Sequence, residues 1–113
     1  MDMRLTYVIE FVADMDRAVT FYRDVIGLPL KYQSAGWSEF TTGETTFALH
    51  PASEKNPAGN RELGLGVPNL QAFYDEMTGK GVRFTMPPSK QDFGGTLAQF
   101  VDCEGANISV GGK

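Results

Sequence analysis

The sequence predicts an α+β fold made of two tandem βαβββ units, which we expect to form a curved mixed sheet around a concave cavity. The order of a strand, a capped helix and three strands occurs twice along the chain. In addition, VADM at residues 12–15 is matched by VPNL at residues 67–70, a repeat typical of a duplicated supersecondary unit. We therefore predict a single domain over residues 1–113, with unit one at 5–50, a linker at 51–60 and unit two at 61–111.

The first unit begins with a predicted strand at Thr6–Val12, which is rich in β-branched and aromatic residues. Asp14 is the expected N-cap of a helix that ends at Gly27. The helix carries apolar residues at the spacing of one buried face: Met15, Ala18, Val19, Tyr22, Val25 and Ile26. Three short strands are predicted after it, at Pro29–Gln33, Trp37–Thr41 and Thr45–His50.

The polar segment at residues 51–60 contains two prolines and a glycine, and we interpret it as a linker. The second unit then repeats the order of the first. Asn69 is its expected helix N-cap, and the helical face consists of Leu70, Phe73, Tyr74 and Met77. The predicted strands are Glu62–Val67, Val82–Met86, Thr96–Val101 and Ile108–Val110, with a loop at Pro87–Gly95.

Composition excludes several classes of partner. The formal charge of the 113 residues is −4, and no cluster of Lys and Arg exceeds two residues, which argues against nucleic acid. No apolar run approaches the ~18 residues of a membrane span, so we expect no membrane partner. Cys103 is the only cysteine, which excludes a disulfide within the chain and fits a reducing compartment. We expect a cytoplasmic protein.

The motifs of the chain resemble those of the vicinal oxygen chelate superfamily. The superfamily includes glyoxalase I, bleomycin resistance proteins, methylmalonyl-CoA epimerase and extradiol dioxygenases. The resemblance covers nearly the whole chain and rests on residues 12–30 (VADMDRAVTFYRDVIGLPL), 36–51 (GWSEFTTGETTFALHP), 66–77 (GVPNLQAFYDEM) and 100–110 (FVDCEGANISV). It implies the tandem βαβββ fold, a homodimer, and a cavity for a small organic ligand.

The resemblance also places the four metal-ligand positions of the superfamily at Tyr7, Ala48, Glu62 and Ser109. A phenol, a methyl group and a neutral hydroxyl are poor ligands for a divalent cation, so only Glu62 suits one. We therefore expect neither a metal nor any other cofactor. One alternative is a displaced metal site formed by His50, Glu62 and Tyr7. Another is that His50 bonds to the linker and Glu62 is solvated.

If Tyr7 faces the cavity, the alternation of side chains along strands turns Phe11, Ala48, His50, Glu62 and Ser109 inward as well. Trp37 and Phe93 are predicted lids of the cavity, although each could instead make a core or subunit contact. The predicted ligand-binding residues are Tyr7, Phe11, Trp37, Ala48, His50, Glu62, Phe93 and Ser109. Alternation places Glu10 under the helix, where a carboxylate must reach a hydrogen-bond donor, reach the edge of the sheet or lie at a subunit boundary.

Aromatic walls with few polar groups are typical of a small-molecule pocket. The favoured function is a metal-free binding protein of the glyoxalase/bleomycin resistance type that sequesters an aromatic or cationic compound. The alternative is a lyase, epimerase or dioxygenase with an altered metal site, in which Glu62 would be the catalytic base. A third possibility is an accessory domain whose cavity is filled by side chains.

Overall fold

The computed structural model describes residues 2–113, and the chain divides into two compact units. The first unit is Tyr7–Arg61, and the second is Glu62–Lys113 with the residues up to Thr6. The elements are β1 (Arg4–Val12), α1 (Met15–Thr20) continued by a π-helical segment (Phe21–Ile26), β2 (Leu30–Gln33), β3 (Ser38–Phe40), β4 (Thr46–Pro51), β5 (Arg61–Gly66), α2 (Leu70–Gly79), β6 (Phe84–Lys90), β7 (Thr96–Val101) and β8 (Asn107–Gly112). The predicted α+β class is confirmed. None of the helices within residues 2–113 is long and apolar enough to cross a membrane.

The strands follow the same order in both units. In the first unit the order is β2-β3-β4-β1, and in the second it is β6-β7-β8-β5. The first strand of each unit pairs in parallel with the last, β1 with β4 and β5 with β8. The remaining neighbours within each unit are antiparallel. Both units therefore contain a mixed four-stranded sheet, as a duplicated βαβββ unit requires.

The two helices begin with equivalent caps. Asp14 has φ −136° and ψ 106°, and its carboxylate accepts the amide of Arg17 at 3.1 Å. Asn69 has φ −137° and ψ 103°, and its side chain accepts the amide of Ala72 at 2.9 Å. Each side chain satisfies an N–H group that lacks a partner within the helix. Both predicted caps are confirmed.

In each unit the helix packs on one face of the sheet. The buried cluster of the first unit consists of Val12, Val19, Phe40 and Leu49, with Phe47 and Tyr22 packed against it. The cluster of the second unit consists of Val67, Leu70, Phe73, Ala98 and Val110, with Leu65, Met77, Phe84 and Phe100 packed against it. In both units, the residues of the parallel pair that lie under the helix alternate with residues on the opposite face.

The first helix departs from the predicted stripe after Tyr22. Gly27 donates its amide to the carbonyl of Tyr22 at 3.0 Å, which is the i→i+5 spacing of a π-helix. The extra residue in this turn rotates Val25 and Ile26 away from the sheet, and they are 69% and 56% exposed. The prediction that both residues lie on the buried face is therefore wrong. The glycine end of the helix is confirmed, since Gly27 has φ +96°.

Two predictions for the second unit also need correction. Pro87 and Pro88 lie inside β6, which extends through the predicted loop as far as Lys90. They are tolerated because β6 is an edge strand of this unit and its register shifts between Met86 and Ser89. Alternation along the predicted strand Glu62–Val67 places Leu63 with Leu65 under the helix, but Leu63 is 42% exposed. The contacts of α2 are with β6, β7 and β8.

The segment between β4 and β5 is attached to the end of β1 by backbone hydrogen bonds. Phe11 donates to the carbonyl of Asn60 at 2.9 Å and accepts from the amide of Gly59 at 2.8 Å. The amide of Ala52 donates to Val12 at 2.8 Å. The segment therefore folds against the first unit, and its two ends are fixed at the same strand.

Glu10 has two hydrogen-bond donors, Tyr22 and Arg61. The hydroxyl of Tyr22 donates to Glu10 Oε1 at 2.7 Å, and Arg61 Nη2 lies 3.3 Å from the same oxygen. A carboxylate on the helix-covered face of β1 is thus paired with both a neutral and a cationic donor. Burial, followed by the hydrogen bond to Glu10, raises the pKa of the Tyr22 phenol above its ordinary value.

We expect Tyr22→Phe to lower the free energy of unfolding by about 1 kcal/mol at neutral pH, because Glu10 loses a donor. Above about pH 10, the unfolded wild-type chain releases a phenolic proton that folded Tyr22 retains, so its stability falls as the pH rises. Urea unfolding at several pH values should show a shallower fall for Tyr22→Phe. Tyr32→Phe, at an exposed tyrosine, is the control and should change neutral-pH stability by less than about 0.5 kcal/mol. Equal pH slopes for Tyr22→Phe and wild type would contradict the prediction.

Candidate functional site

Four rings in the first unit form a continuous aromatic row: Tyr7, Trp37, His50 and Phe11. Their centroids are 5.7 Å apart from Tyr7 to Trp37, 6.3 Å from Trp37 to His50, and 5.5 Å from His50 to Phe11. All three contacts are edge-to-face, with interplanar angles of 71–78°. The row brings together four of the residues that the sequence predicted to bind a ligand.

The register of the sheet explains why these rings share a face. Tyr7 lies opposite Thr46, Ile9 opposite Ala48, and Phe11 opposite His50 in the parallel β1–β4 pair. The alternate residues Phe47 and Leu49 pack with α1, so the aromatic row occupies the face away from the helix. Ala48 lies on the same face as the row and is fully buried.

Glu39 belongs to this face, and the sequence analysis missed it. Glu39 lies opposite Ala48 in β3, and its Oε2 accepts the indole N–H of Trp37 at 2.7 Å. Lys31 Nζ lies 4.0 Å from its other oxygen. The sequence did indicate the position of Glu39. Trp37 and Glu39 are two residues apart in a predicted strand and therefore point to the same side of the sheet.

Burial, and secondarily the carboxylate of Glu39, raise the pKa of the Tyr7 phenol above its ordinary value. Tyr7 is therefore a neutral hydrogen-bonding group at physiological pH. His50 Nδ1 lies 2.9 Å from the carbonyl oxygen of Pro51, a contact that requires Nδ1 to carry the proton. In the neutral ring, Nε2 is then an acceptor. The row thus combines aromatic surface, one carboxylate and two neutral polar groups.

A second group of predicted residues meets in the second unit. Glu62 is 7% exposed, and Ser109 donates its hydroxyl to Glu62 Oε2 at 2.5 Å. Asn107 Nδ2 donates to the other oxygen at 3.1 Å. Gly64 lies opposite Ser109 in the parallel β5–β8 pair.

Two further contacts extend this polar group across the sheet, and we call the five residues the Glu62 network. Thr85 donates to Asn107 Oδ1 at 3.0 Å, and Gln99 Nε2 lies 3.4 Å from Ser109 Oγ. The network consists of Glu62, Thr85, Gln99, Asn107 and Ser109. It satisfies a buried carboxylate with neutral donors, as burial of a charge requires. The sequence analysis selected Glu62 and Ser109 as site residues but not Thr85, Gln99 or Asn107.

The four positions that the resemblance assigns to metal ligands do not carry a fitting donor set. Tyr7 retains its proton, Ala48 has no donor atom, and the hydroxyl of Ser109 already donates to Glu62. Divalent metals in proteins take carboxylate, imidazole or thiolate ligands from several residues. Within residues 2–113, no three His, Cys, Asp or Glu side chains are grouped so that they could share a metal ion.

The remaining residues singled out in the sequence lie in the second unit. Phe93 is 73% exposed in the turn between β6 and β7, and among residues 2–113 its ring contacts no other aromatic ring. Its predicted role as a lid stays a prediction. Cys103 is exposed in the turn before β8, as expected. Gly66 relieves crowding, because a Cβ at this position would lie 2.6 Å from Thr6 Oγ1.

Comparison with known proteins identifies the family and the fold. The model of the Glyoxalase/Bleomycin resistance protein/Dioxygenase superfamily matches residues 4–110. A hypothetical protein from Bacillus halodurans is 17% identical, with 100% of this chain and 96% of that chain covered and a TM-score of 0.80. A variant of methylmalonyl-CoA epimerase from Streptomyces coelicolor, in complex with 2-nitronate-propionyl-CoA, is 18% identical, with coverages of 97% and 94% and a TM-score of 0.79.

Methylmalonyl-CoA epimerase from Mycobacterium tuberculosis is 21% identical, with 96% of this chain and 86% of that chain covered and a TM-score of 0.76. No curated protein matches the chain. At these identities, the likeness to the solved structures shows the fold alone. The resemblance inferred from the sequence motifs is confirmed at the level of the superfamily.

Ser109→Ala removes the hydroxyl that donates to Glu62 Oε2. We expect the free energy of unfolding to fall by about 1–3 kcal/mol, because a buried carboxylate oxygen loses its donor. Ser38→Ala is the control, since it removes the hydroxyl of a fully buried serine that lies 3.3 Å from the sulfur of Met15 and 3.4 Å from the carbonyl of Ser34. Urea unfolding should show the smaller loss for Ser38→Ala, and equal losses would contradict the role of Ser109.

Proposed function

The chain belongs to the glyoxalase/bleomycin resistance protein/dioxygenase superfamily, and on that premise we propose that it binds and sequesters planar cationic aromatic molecules without a metal. The observation that carries this proposal is the aromatic row of Tyr7, Trp37, His50 and Phe11, with the carboxylate of Glu39 beside it. The row offers stacking surface, and Glu39 supplies the negative charge. A preference for planar cations follows from this combination.

The energetic terms favour a flat cation over other ligands. Stacking on an aromatic side chain contributes roughly 0.5–1.5 kcal/mol beyond the burial of area, and a cation over a ring contributes a similar amount. Trp37 Nε1 donates to Glu39 at 2.7 Å, which fixes the indole and keeps the carboxylate at the row. A planar anion would gain the stacking term but would be repelled by Glu39.

A second candidate is an enzyme that moves a proton on carbon, and the observation that favours it is the Glu62 network. A general base needs a carboxylate held in one orientation and shielded from water. Ser109 and Asn107 hold the carboxylate of Glu62 on both oxygens. In this candidate, Glu62 accepts the proton of an acidic C–H bond and returns it to the carbon, a cycle that leaves Glu62 unchanged.

The binding proposal is tested by titrating the fluorescence of Trp37, the only tryptophan. A planar cation such as N-methylquinolinium should quench the fluorescence of Trp37 saturably. Quinoline at high pH, which is neutral, and quinoline-2-carboxylate, which is an anion, should bind about tenfold more weakly. The reason is that one ion pair near a surface is worth about 1 kcal/mol or more. Glu39→Gln should remove the preference for the cation. The matched control Glu62→Gln should leave it intact, since Glu62 carries the other candidate function.

Equal affinity for the three compounds, or an unchanged preference in Glu39→Gln, would contradict the binding proposal. If Glu62→Gln abolished the preference and Glu39→Gln did not, the charge would be assigned to the wrong carboxylate. His50→Ala separates the polar contribution of the row. It should weaken a ligand that donates a hydrogen bond to Nε2 and should leave N-methylquinolinium nearly unchanged.

Metal independence has a separate test. Protein purified without chelator should contain no stoichiometric divalent metal by elemental analysis, because the superfamily positions Tyr7, Ala48 and Ser109 carry no suitable donor. Added zinc, nickel or cobalt should give no glyoxalase I activity. One equivalent of bound metal that disappears in Glu62→Ala would overturn this part of the proposal.

A further inference from the structure

A groove in the second unit is lined by neither the aromatic row nor the Glu62 network. Two segments form its walls, residues 80–83 after α2 and residues 100–105 from the end of β7 through the following turn. Its volume is about 600 Å³, which is within the usual range for a small-molecule site. The walls are held together by the hydrogen bond from the amide of Val101 to the carbonyl of Arg83 at 3.1 Å.

Arg83 provides a positive charge in the groove. Within residues 2–113, no carboxylate pairs with the guanidinium of Arg83, whereas Lys80, the second cation of the groove, pairs with Glu76 at 3.2 Å. An exposed guanidinium presents several N–H donors in one plane, and this geometry matches the two oxygens of a carboxylate. Arg83 is therefore available to an anion.

The lining of the groove contains one acidic side chain, Asp102. Asp102 Oδ1 accepts the amides of Glu104 at 2.8 Å and of Ala106 at 2.9 Å. These two bonds hold the carboxylate over its own turn. Within residues 2–113, no ion pair joins Asp102 to Arg83.

The rest of the lining is apolar and aromatic. Phe100 is half-buried at the edge of the core cluster, with its ring centroid 5.5 Å from that of Phe84 and 6.0 Å from that of Phe73. Val82 and Val101 are half-buried beside it. These contacts hold the Phe100 ring in place, so it can receive the flat side of a ligand with little loss of side-chain freedom.

We propose that this groove is a binding site for a small aromatic carboxylate. The carboxylate pairs with Arg83, and the ring packs on Phe100 and Val82. The proposal is independent of the cation-binding row in the first unit and would stand if that function failed. It also predicts the opposite charge preference, so one set of compounds distinguishes the two sites.

The test uses Cys103, which lines the groove and is the only thiol in the chain. The measurement is the rate at which neutral iodoacetamide alkylates this thiol. About 10 mM benzoate should slow alkylation saturably by about threefold or more, because a ligand of this size binds with a dissociation constant on the order of a millimolar. Benzyl alcohol should protect much less, and benzylamine and acetate should not protect.

Arg83→Gln should abolish the protection by benzoate. Arg17→Gln, a matched change at an exposed arginine outside the groove, should retain it. Circular dichroism checks that both variants are folded, and chemical-shift changes in two-dimensional NMR at residues 80–83 and 100–105 provide a readout that does not depend on the thiol. Undiminished protection in Arg83→Gln, equal protection by acetate, or shifts confined to other residues would each overturn the proposal.

Discussion

The parallel pairing of β1 with β4 is the constraint on which the first unit depends. In a parallel pair, residues that lie opposite each other point to the same side of the sheet. The register sets which residues these are: Tyr7 with Thr46, Ile9 with Ala48, and Phe11 with His50. On one side of the sheet, Phe47 and Leu49 pack against α1. The aromatic row lies on the other side. A shift of the register by one residue would place the rings under the helix and the core residues on the open side.

The same pairing in the second unit gives a different chemistry. The β5–β8 register brings Gly64 opposite Ser109, and the resulting polar group satisfies the buried carboxylate of Glu62 with neutral donors. A metal ion at this carboxylate would have to compete with two hydrogen bonds that are already formed. The duplicated scaffold therefore carries an aromatic row in one copy and a hydrogen-bonded carboxylate in the other. The same backbone topology thus accommodates different side chains at equivalent places.

Much of this could be predicted from local sequence signals. Asp14, Asn69 and Gly27 act through the backbone of their own helix ends, so a short window of sequence contains all the necessary information. The π-helical turn could not be predicted in this way, because α and π spacing differ by one residue and both bury Tyr22. Glu62 and Ser109 were both predicted to face inward, but the hydrogen bonds that Glu62 receives from Asn107 and Ser109 were not predicted, since these residues lie 45 and 47 positions away along the chain.

Glu39 is a different case, because its position followed from the alternation of a predicted strand. Alternation shows only the side to which Glu39 points, and the hydrogen bond from the indole of Trp37 to its carboxylate is seen only in the structure. The resemblance instead points to four metal-ligand positions, of which three carry side chains that suit a divalent cation poorly. The charge beside the aromatic row comes instead from β3, next to Trp37.

The attachment of residues 52–60 to β1 has a consequence for where this protein tolerates change. Both ends of the segment are fixed to Phe11 and Val12 by main-chain hydrogen bonds, so lengthening either end would displace the strand that carries the aromatic row. Between those ends, Ser53 and Asn56 close a small turn of their own, and Glu54 and Lys55 at its tip are exposed. An inserted peptide, an affinity tag or a new chain terminus would therefore be better accommodated at this tip than at either end of the segment.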